Sequence, residues 1–413
     1  MLGVENSELS CALAERAFAQ IRDFRLQDLL LLGWGTAAFV SDLDLARAIQ
    51  DEMVRRLQQS DVRGCSDVSW RRLAEVALGI LWAYNFAGLL SEAVLASVRT
   101  ILRRRGMALD ADHNMRTHPV LMSRSHTDAN GSKAQIIGSG ASTEVLRLAS
   151  EPQIVMDLAD RFVIAKPSGW EVCDQSADYM QQQLLMFSRG TSASRWPILF
   201  DAAHTYGFLH RLDVPSSGLI MVAKTYEAYY DLQLQLRTGE LTRDYIVLCH
   251  GWMPTLRQEI GARVSWRDGS KTTAGEQGKP SRTRLKVMAH ASCVGCALSL
   301  LAIRIATGRQ HQIRSHCSHI GNPTVCDGAY TTFDTFRVDL NVCAQNFLHR
   351  YRLAFNDLSG IRREAVEPLP ADLRKTLGQL AAKDMQSAGK VELWLSGEGT
   401  RDWKDHRPLL EMR

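Results

Sequence analysis

The apolar patterning of this chain changes part-way along its length, and that change limits the folds open to it. From about residue 20 to 108 apolar residues recur at helical spacing. Phe24, Leu26, Leu29, Leu30 and Leu32 lead to Trp34, and a second run leads from Leu73 through Val76, Leu78 and Leu81 to Trp82. Such stripes belong to helices that bury one face. From about Ile154 the apolar residues come instead in short runs stopped by turns. Residues 161–169 end in Pro-Ser-Gly, 218–224 follow a Pro-Ser-Ser turn, and 244–250 and 298–305 are two further runs. Runs of this length between turn residues read as strands. Helical segments at 228–236 and 310–319 interrupt them without regular βαβ alternation. The predicted class is α+β: a mainly antiparallel mixed sheet preceded by an all-α region.

This reading divides the chain into an N-terminal segment 1–19, a helical region 20–108, a linker 109–152 rich in His, Ser, Thr, Gly and Asn, a strand-rich domain 153–385, and a loose polar tail 386–413. The helical region is self-similar. A shift of 48 places Trp34 on Trp82, Leu45 on Ala93, Met53 on Ile101, and Arg55-Arg56 on Arg103-Arg104. Two stacked helix pairs, neither able to bury its apolar face alone, account for the repeat.

Composition narrows the function classes. Hydrophobic residues at 45% and charged residues at 23% suit a globular protein, and no stretch approaches the roughly 20 apolar residues of a membrane span. The expectation is no membrane partner. A net charge of +4 is compatible with a phosphate-rich partner without identifying one. Arg103-Arg104-Arg105 and Arg350-Tyr351-Arg352 form local positive clusters, readable either as partner contacts or as solvated faces. Nine cysteines, an odd number, imply reduced thiols and an intracellular setting. Cys293 and Cys296 make the single CxxC, too little for a structural zinc. Residues 1–18 match neither a secretory nor a transit leader, which leaves cytoplasm, mitochondrion and plastid open.

Three segments place reactive side chains where a strand meets a turn. In HRLDVPSSGL, residues 210–219, Asp213 lies on a Pro/Ser/Gly turn beside Arg211. Alone, this reads as a turn aspartate bonded to its own backbone. In TRDYIVL, residues 242–248, Tyr245 enters a strand from a polar turn, as a half-buried strand tyrosine would. In ATGRQHQIRSH, residues 306–316, a strand stops at Thr307-Gly308 and a helix begins among Arg309, His311, Arg314 and His316. Helix N-termini attract anions, and Arg309 and Arg314 suit a carboxylate or a phosphate. With His319 there are three nearby histidines, but no carboxylate or cysteine joins them at ligand spacing, so no metal is expected.

In order and spacing these segments resemble the RluA-type pseudouridine synthases. HRLDVPSSGLIMVAK is similar to that family's HRLD signature followed by Thr/Ser-Ser-Gly-Leu, and TRDYIVLCHG to its Lys-x-Tyr-x-Ala strand. The segment 306–330 resembles its TGR-x-HQIR-x-H stretch with the His-Ile-Gly-x-Pro-x-x-x-Asp continuation. FVIAKPSGWEV and FLHRYRLAF resemble its opening and closing strands, so the resemblance spans about 155–358. It implies an isomerase that turns specific uridines of an RNA (tRNA, rRNA or mRNA) into pseudouridine, with no cofactor. Asp213 would be the nucleophile, Tyr245 the tyrosine lying against the target ring, and Arg314 the partner of the aspartate. Substrate contacts would fall to His210, Arg211, Ser217, Arg309, His311 and Gln312. Ser216, Arg243 and Val247 depart from the commoner Thr, Lys and Ala, and none removes a catalytic group. A monomer is expected.

Residues 74–106 in turn resemble the short helical repeats of organellar RNA-binding proteins of the octatricopeptide or FAST-kinase-like type. A plain helical module that docks a protein partner is the competing expectation there. For the whole chain, the alternative is an RNA-binding or RNA-chaperone protein on the same fold whose catalysis is dispensable.

Overall fold

The computed structural model describes residues 7–38, 43–62, 66–117, 151–172, 183–192, 196–266 and 271–409. Most of the expected linker lies outside them. The chain forms two compact units: residues 1–118, 225–241 and 358–360 in one, and 119–224, 242–357 and 361–413 in the other.

The first unit is helical, with α1 (Ser7–Ala19), α2 (Leu26–Ala38), α3 (Leu43–Val62), α4 (Asp67–Ala87) and α5 (Glu92–Thr117). Here α2 packs on α4 and α3 on α5, the pairs related by the 48-residue shift. Two glycines let α2 and α4 approach closely. A Cβ at Gly79 would stand 2.8 Å from Leu30 Cδ1, and one at Gly33 would stand 3.3 Å from Ile80 Cγ1. Trp34 donates to the Gly79 carbonyl at 3.3 Å and lies 5.7 Å from the Trp82 ring. Ile49, Leu57, Ile80, Leu81, Tyr84, Val98 and Leu102 are buried, as the apolar stripes require.

A further helix, α7 (Tyr226–Thr238), belongs to this unit although the expected boundaries put it in the strand-rich domain. Asp110 of α5 caps it, accepting hydrogen bonds from the backbone N–H groups of Tyr226 and Glu227 at 2.9 and 3.0 Å. That role also explains why α5 runs to Thr117, past the expected helix end near 108. Arg99 pairs with Asp231 and Glu240, and Arg103 with Glu227. Arg105 pairs with Asp67. The basic cluster at 103–105 therefore makes ion pairs within the unit.

The second unit is built on one sheet. In chain order its strands are β1 (Gln153–Asp157), β2 (Arg161–Lys166), β3 (Ser217–Ala223), β4 (Thr242–His250), β5 (Glu259–Ile260), β8 (Thr283–Cys293), β9 (Cys296–Ile305), β10 (Leu348–Asn356), β11 (Arg362–Val366) and β12 (Ala381–Ala382). They lie in the order β1-β2-β3-β10-β4-β9-β8-β12, with β11 on β10 and β5 on β8. Between β5 and β8 a separate hairpin, β6 (Arg263–Ser265) and β7 (Thr273–Gly275), stands off the sheet. Every pairing is antiparallel except β3 with β10. The predicted α+β class with a mainly antiparallel sheet is the observed one.

Both faces of the sheet are covered, so its central strands are apolar almost throughout. One face packs Ile164, Ile220, Val247, Leu301 and Ile303 against α6 (Leu184–Ser192) and α8 (Gln312–His319). The other packs Ile246, Leu248, Leu300 and Tyr351 against α10 (Ala371–Gly378) and α11 (Met385–Leu395).

The C-terminal segment is not the loose tail expected from its polarity. Asp402 receives hydrogen-bonded ion pairs from Arg304 (3.1 Å) and Arg352 (2.8 Å), both of which also hold the fully buried Asp244. His406 stacks on Trp394, the Tyr351 hydroxyl lies 3.1 Å from His406 Nε2, and Leu409 is buried in the core. Asp402 and His406 are taken up inside the protein while Lys404, Asp405 and Arg407 stay exposed, and composition alone cannot distinguish the two.

Candidate active site

The turn between residues 213 and 216 is fixed from below by the end of β2. Lys166, 1% exposed, extends its ammonium group to the carbonyls of Pro167, Trp170 and Val214 at 2.9, 2.8 and 3.2 Å. Gly169 N–H donates to the same Val214 carbonyl, and the Ser168 hydroxyl donates to Pro215. Ser216 N–H donates to the Asp213 carbonyl at 3.0 Å and closes the turn. Burial pushes the Lys166 ammonium down to about 7; the nearby Asp213 charge works against that, and Arg350 adds to it. Asp213 keeps its side chain 16% exposed while its backbone is held on every side.

Arg314, on the first turn of α8, reaches Asp213 with Nη1 at 2.9 Å. Its Nε and Nη2 grip Asp327 in a two-pronged pair, 2.7 Å each. Asp327 is 1% exposed and also accepts from the Thr324 hydroxyl and the Ala329 N–H. Burial would raise its carboxyl, but the hydrogen bonds and charge of Arg314 outweigh that and hold it below the ordinary carboxylate range. Burial disfavours the charged Arg314, yet the two carboxylates hold its proton more firmly than in water. The row Asp213–Arg314–Asp327 thus points a guanidinium of fixed orientation at an accessible carboxylate. Asp327 closes the continuation of the third motif; the sequence located it, but its part in the site was missed.

His311 adopts a left-handed backbone, φ +48°, and brings Nε2 to 3.8 Å from Asp213. Burial pushes its imidazole below the usual range, so it is neutral at neutral pH. Its Nδ1 lies 3.3 Å from the Tyr330 hydroxyl. His316 turns away to the Ala262 carbonyl, and His319 is exposed.

Tyr245 stands on β4 opposite a bulge in β10. His349 pairs with Ile246 and Arg352 with Asp244, so Arg350 and Tyr351 together face Tyr245. Arg350 donates to the Tyr245 hydroxyl through both Nε and Nη2, and to His210 Nδ1 at 2.7 Å. An arginine only donates, so His210 carries its proton on Nε2, and burial with the Arg350 and Arg243 charges keeps the ring neutral. The cluster Arg350-Tyr351-Arg352 is therefore buried in the sheet, and the surface patch expected from sequence does not exist.

The structure separates the expected substrate contacts. Arg211 is exposed beside Asp213. His210 keeps Nε2 without a partner among the described residues. Arg309 is half-buried and gives one N–H to the Pro280 carbonyl. Ser217 and Gln312 serve the fold instead. The Ser217 hydroxyl meets His349 Nδ1 at 2.9 Å in the core. Gln312, 3% exposed, accepts from Thr307 and Arg309 N–H and donates to the Arg282 carbonyl and Thr283, which uses up its amide.

The family model for RNA pseudouridylate synthase matches residues 161–319, the stretch that carries Lys166, Asp213, Tyr245 and Arg314. The chain contains a pseudouridine synthase domain. The curated relatives of this domain include ribosomal large subunit pseudouridine synthase D of Yersinia pestis, 32% identical over 198 residues, covering 45% of this chain and 59% of the relative. The synthase D of Escherichia coli is 30% identical over 200 residues, covering 46% and 60%. Synthase C of Pasteurella multocida is 32% identical over 186 residues, covering 42% and 53%. The chain thus spans little more than half the length of the relatives it matches. Among solved structures, human RNA Pseudouridylate Synthase Domain Containing 1 aligns at 22% identity over 64% of this chain and all of its own, with a TM-score of 0.46. The synthase domain is of the RluA type, as the sequence resemblance implied.

Proposed function

We propose that the chain is an RNA pseudouridine synthase with Asp213 as its nucleophile. The observation that carries this reading is the accessible Asp213 carboxylate held at 2.9 Å by a guanidinium that Asp327 fixes from behind. Isomerisation breaks the N1–C1′ bond of uridine, turns the base, forms a C5–C1′ bond and releases the C5 proton. A carboxylate serves this chemistry by adding to C1′, as in a retaining glycosidase, or to C6 of the ring. Arg314 holds the Asp213 carboxylate at 2.9 Å and orients it for either route. The base must leave its stack to reach Asp213, and the exposed Arg211 is placed to hold it or its backbone. Tyr245 offers a ring against the base and a hydroxyl for moving a proton. The relatives' printed names concern ribosomal large-subunit RNA, so rRNA is the first substrate to test, in a protein acting as a monomer.

Pseudouridine mapping on total RNA from cells expressing the wild type or Asp213→Asn tests the reading. Sites present with the wild type and absent with the variant are expected. Identical maps from both proteins, with native RNA also unmodified, would put RNA binding without catalysis in its place.

A further inference from the structure

Among the described residues, Arg350 is a buried cation without a carboxylate partner. It is 2% exposed, and its guanidinium meets the Tyr245 hydroxyl twice (2.9 and 2.6 Å), His210 Nδ1 (2.7 Å), the Leu219 carbonyl (2.8 Å) and the Arg211 carbonyl (3.4 Å). None of these four partners is a carboxylate. Among the other buried arginines of the same unit, Arg161 pairs with Asp160, Arg314 with Asp213 and Asp327, and Arg352 with Asp244, Glu364 and Asp402. Desolvating a guanidinium without a counter-charge is unfavourable, so the arginine is retained here against a cost. Filling the β10 bulge does not call for an arginine.

The partners themselves show what the arginine does. Arg211 and Leu219 flank the Asp213 turn, one on each side, and Tyr245 comes from a different strand. Only a planar fork with several donors in fixed directions can hold all of them at once. We propose that Arg350 is a positioning residue: it locks the Tyr245 hydroxyl and both ends of the Asp213 turn in one register, so that nucleophile and tyrosine address the same base. The proposal rests on the synthase reading given above.

The test uses the full chain as wild type, Asp213→Asn, Arg350→Met, Arg350→Gln and Arg350→Lys. The substrate is unfractionated RNA labelled with tritium at uridine C5, from which bonding of C5 to C1′ releases the label. A misplacement of about 1 Å costs on the order of 100-fold in rate. The expected result is that Arg350→Met and Arg350→Gln lower the maximal rate about 100-fold while the half-saturating RNA concentration moves less than about 3-fold. In both, the rate loss should far exceed what any lowering of the melting temperature explains, and Arg350→Lys, with its single point charge, should recover no more than about a tenth of the rate. Wild-type rates in Arg350→Met, or a rate loss that merely follows a lowered melting temperature, would overturn the proposal. A wild type that releases no more tritium than Asp213→Asn would instead remove the synthase reading, and the role of Arg350 with it.

Discussion

Asp213 is held from two directions with different chemistry. Below, Lys166 and Gly169 bind the backbone of its turn; in front, Arg314 binds its carboxylate. The second contact depends on Asp327, which takes two of the Arg314 donors while remaining almost wholly buried. Replacing Asp327 with Ala leaves a buried guanidinium with half its partners. A stability loss of about 3–5 kcal/mol is expected, measured by urea unfolding. Activity should fall further than the unfolded fraction explains, because Arg314 is then free to swing from Asp213; a variant with wild-type stability would refute the account. Of this site the sequence revealed the motif residues, and Asp213 and Arg314 meet as the resemblance implied. It did not reveal Arg350, whose neighbours in the chain look like a surface patch. Nor did it separate Arg211, which faces solvent, from Ser217 and Gln312, whose polar atoms are satisfied inside the fold.

At the level of elements, the site exists because β3 and β10 run parallel and almost touch. Gly218 pairs with Arg350 and has φ +121°, and a Cβ there would stand 2.3 Å from the Arg350 carbonyl oxygen and 2.5 Å from its nitrogen. Both obstacles are backbone and cannot yield. The glycine that ends the first motif is thus required for the β10 bulge to press against β3 and aim Arg350 at Tyr245. Gly218→Ala is expected to cost about 3 kcal/mol or more, read as a lowered urea midpoint with an unchanged slope; a midpoint equal to the wild type's would show that the contact can relax. The strand runs at 161, 218, 244 and 298 were legible because each is a short apolar run closed by turn residues. The arginines of β10 hid that strand's burial: Arg352 is neutralised by Asp244, Glu364 and Asp402, and Arg350 is met by Tyr245, His210 and backbone carbonyls, partners that the local sequence does not show.

Across the whole molecule, buried neutral histidines couple the fold to pH. Burial pushes His316, His349 and His406 to about 4 each, and all three are at most 5% exposed. Their folded values lie below the unfolded value near 6.5, so the unfolded chain binds protons first as pH falls. Stability from these groups is full above pH 6.5 and declines between 6.5 and 4, by up to about 4 kcal/mol per pH unit when all three titrate together. Glu367, whose carboxyl burial raises, opposes part of this. The urea midpoint should therefore drop steeply from pH 6.5 to 4.5, and a flat midpoint over that range would contradict it. By itself the sequence determined the α+β class, the helical character of the N-terminal region, and the family to which Asp213, Tyr245 and Arg314 belong, because periodicity, turn residues and motif order are local properties. Only the tertiary structure decided which charges are spent inside: the C-terminal Asp402 and His406 that pack on the sheet, the helix at 226–238 that joins the N-terminal helices, and Arg350, hydrogen-bonded behind Tyr245. Whether a polar side chain faces water or a distant partner is settled by which strands meet, and a linear sequence does not record that meeting.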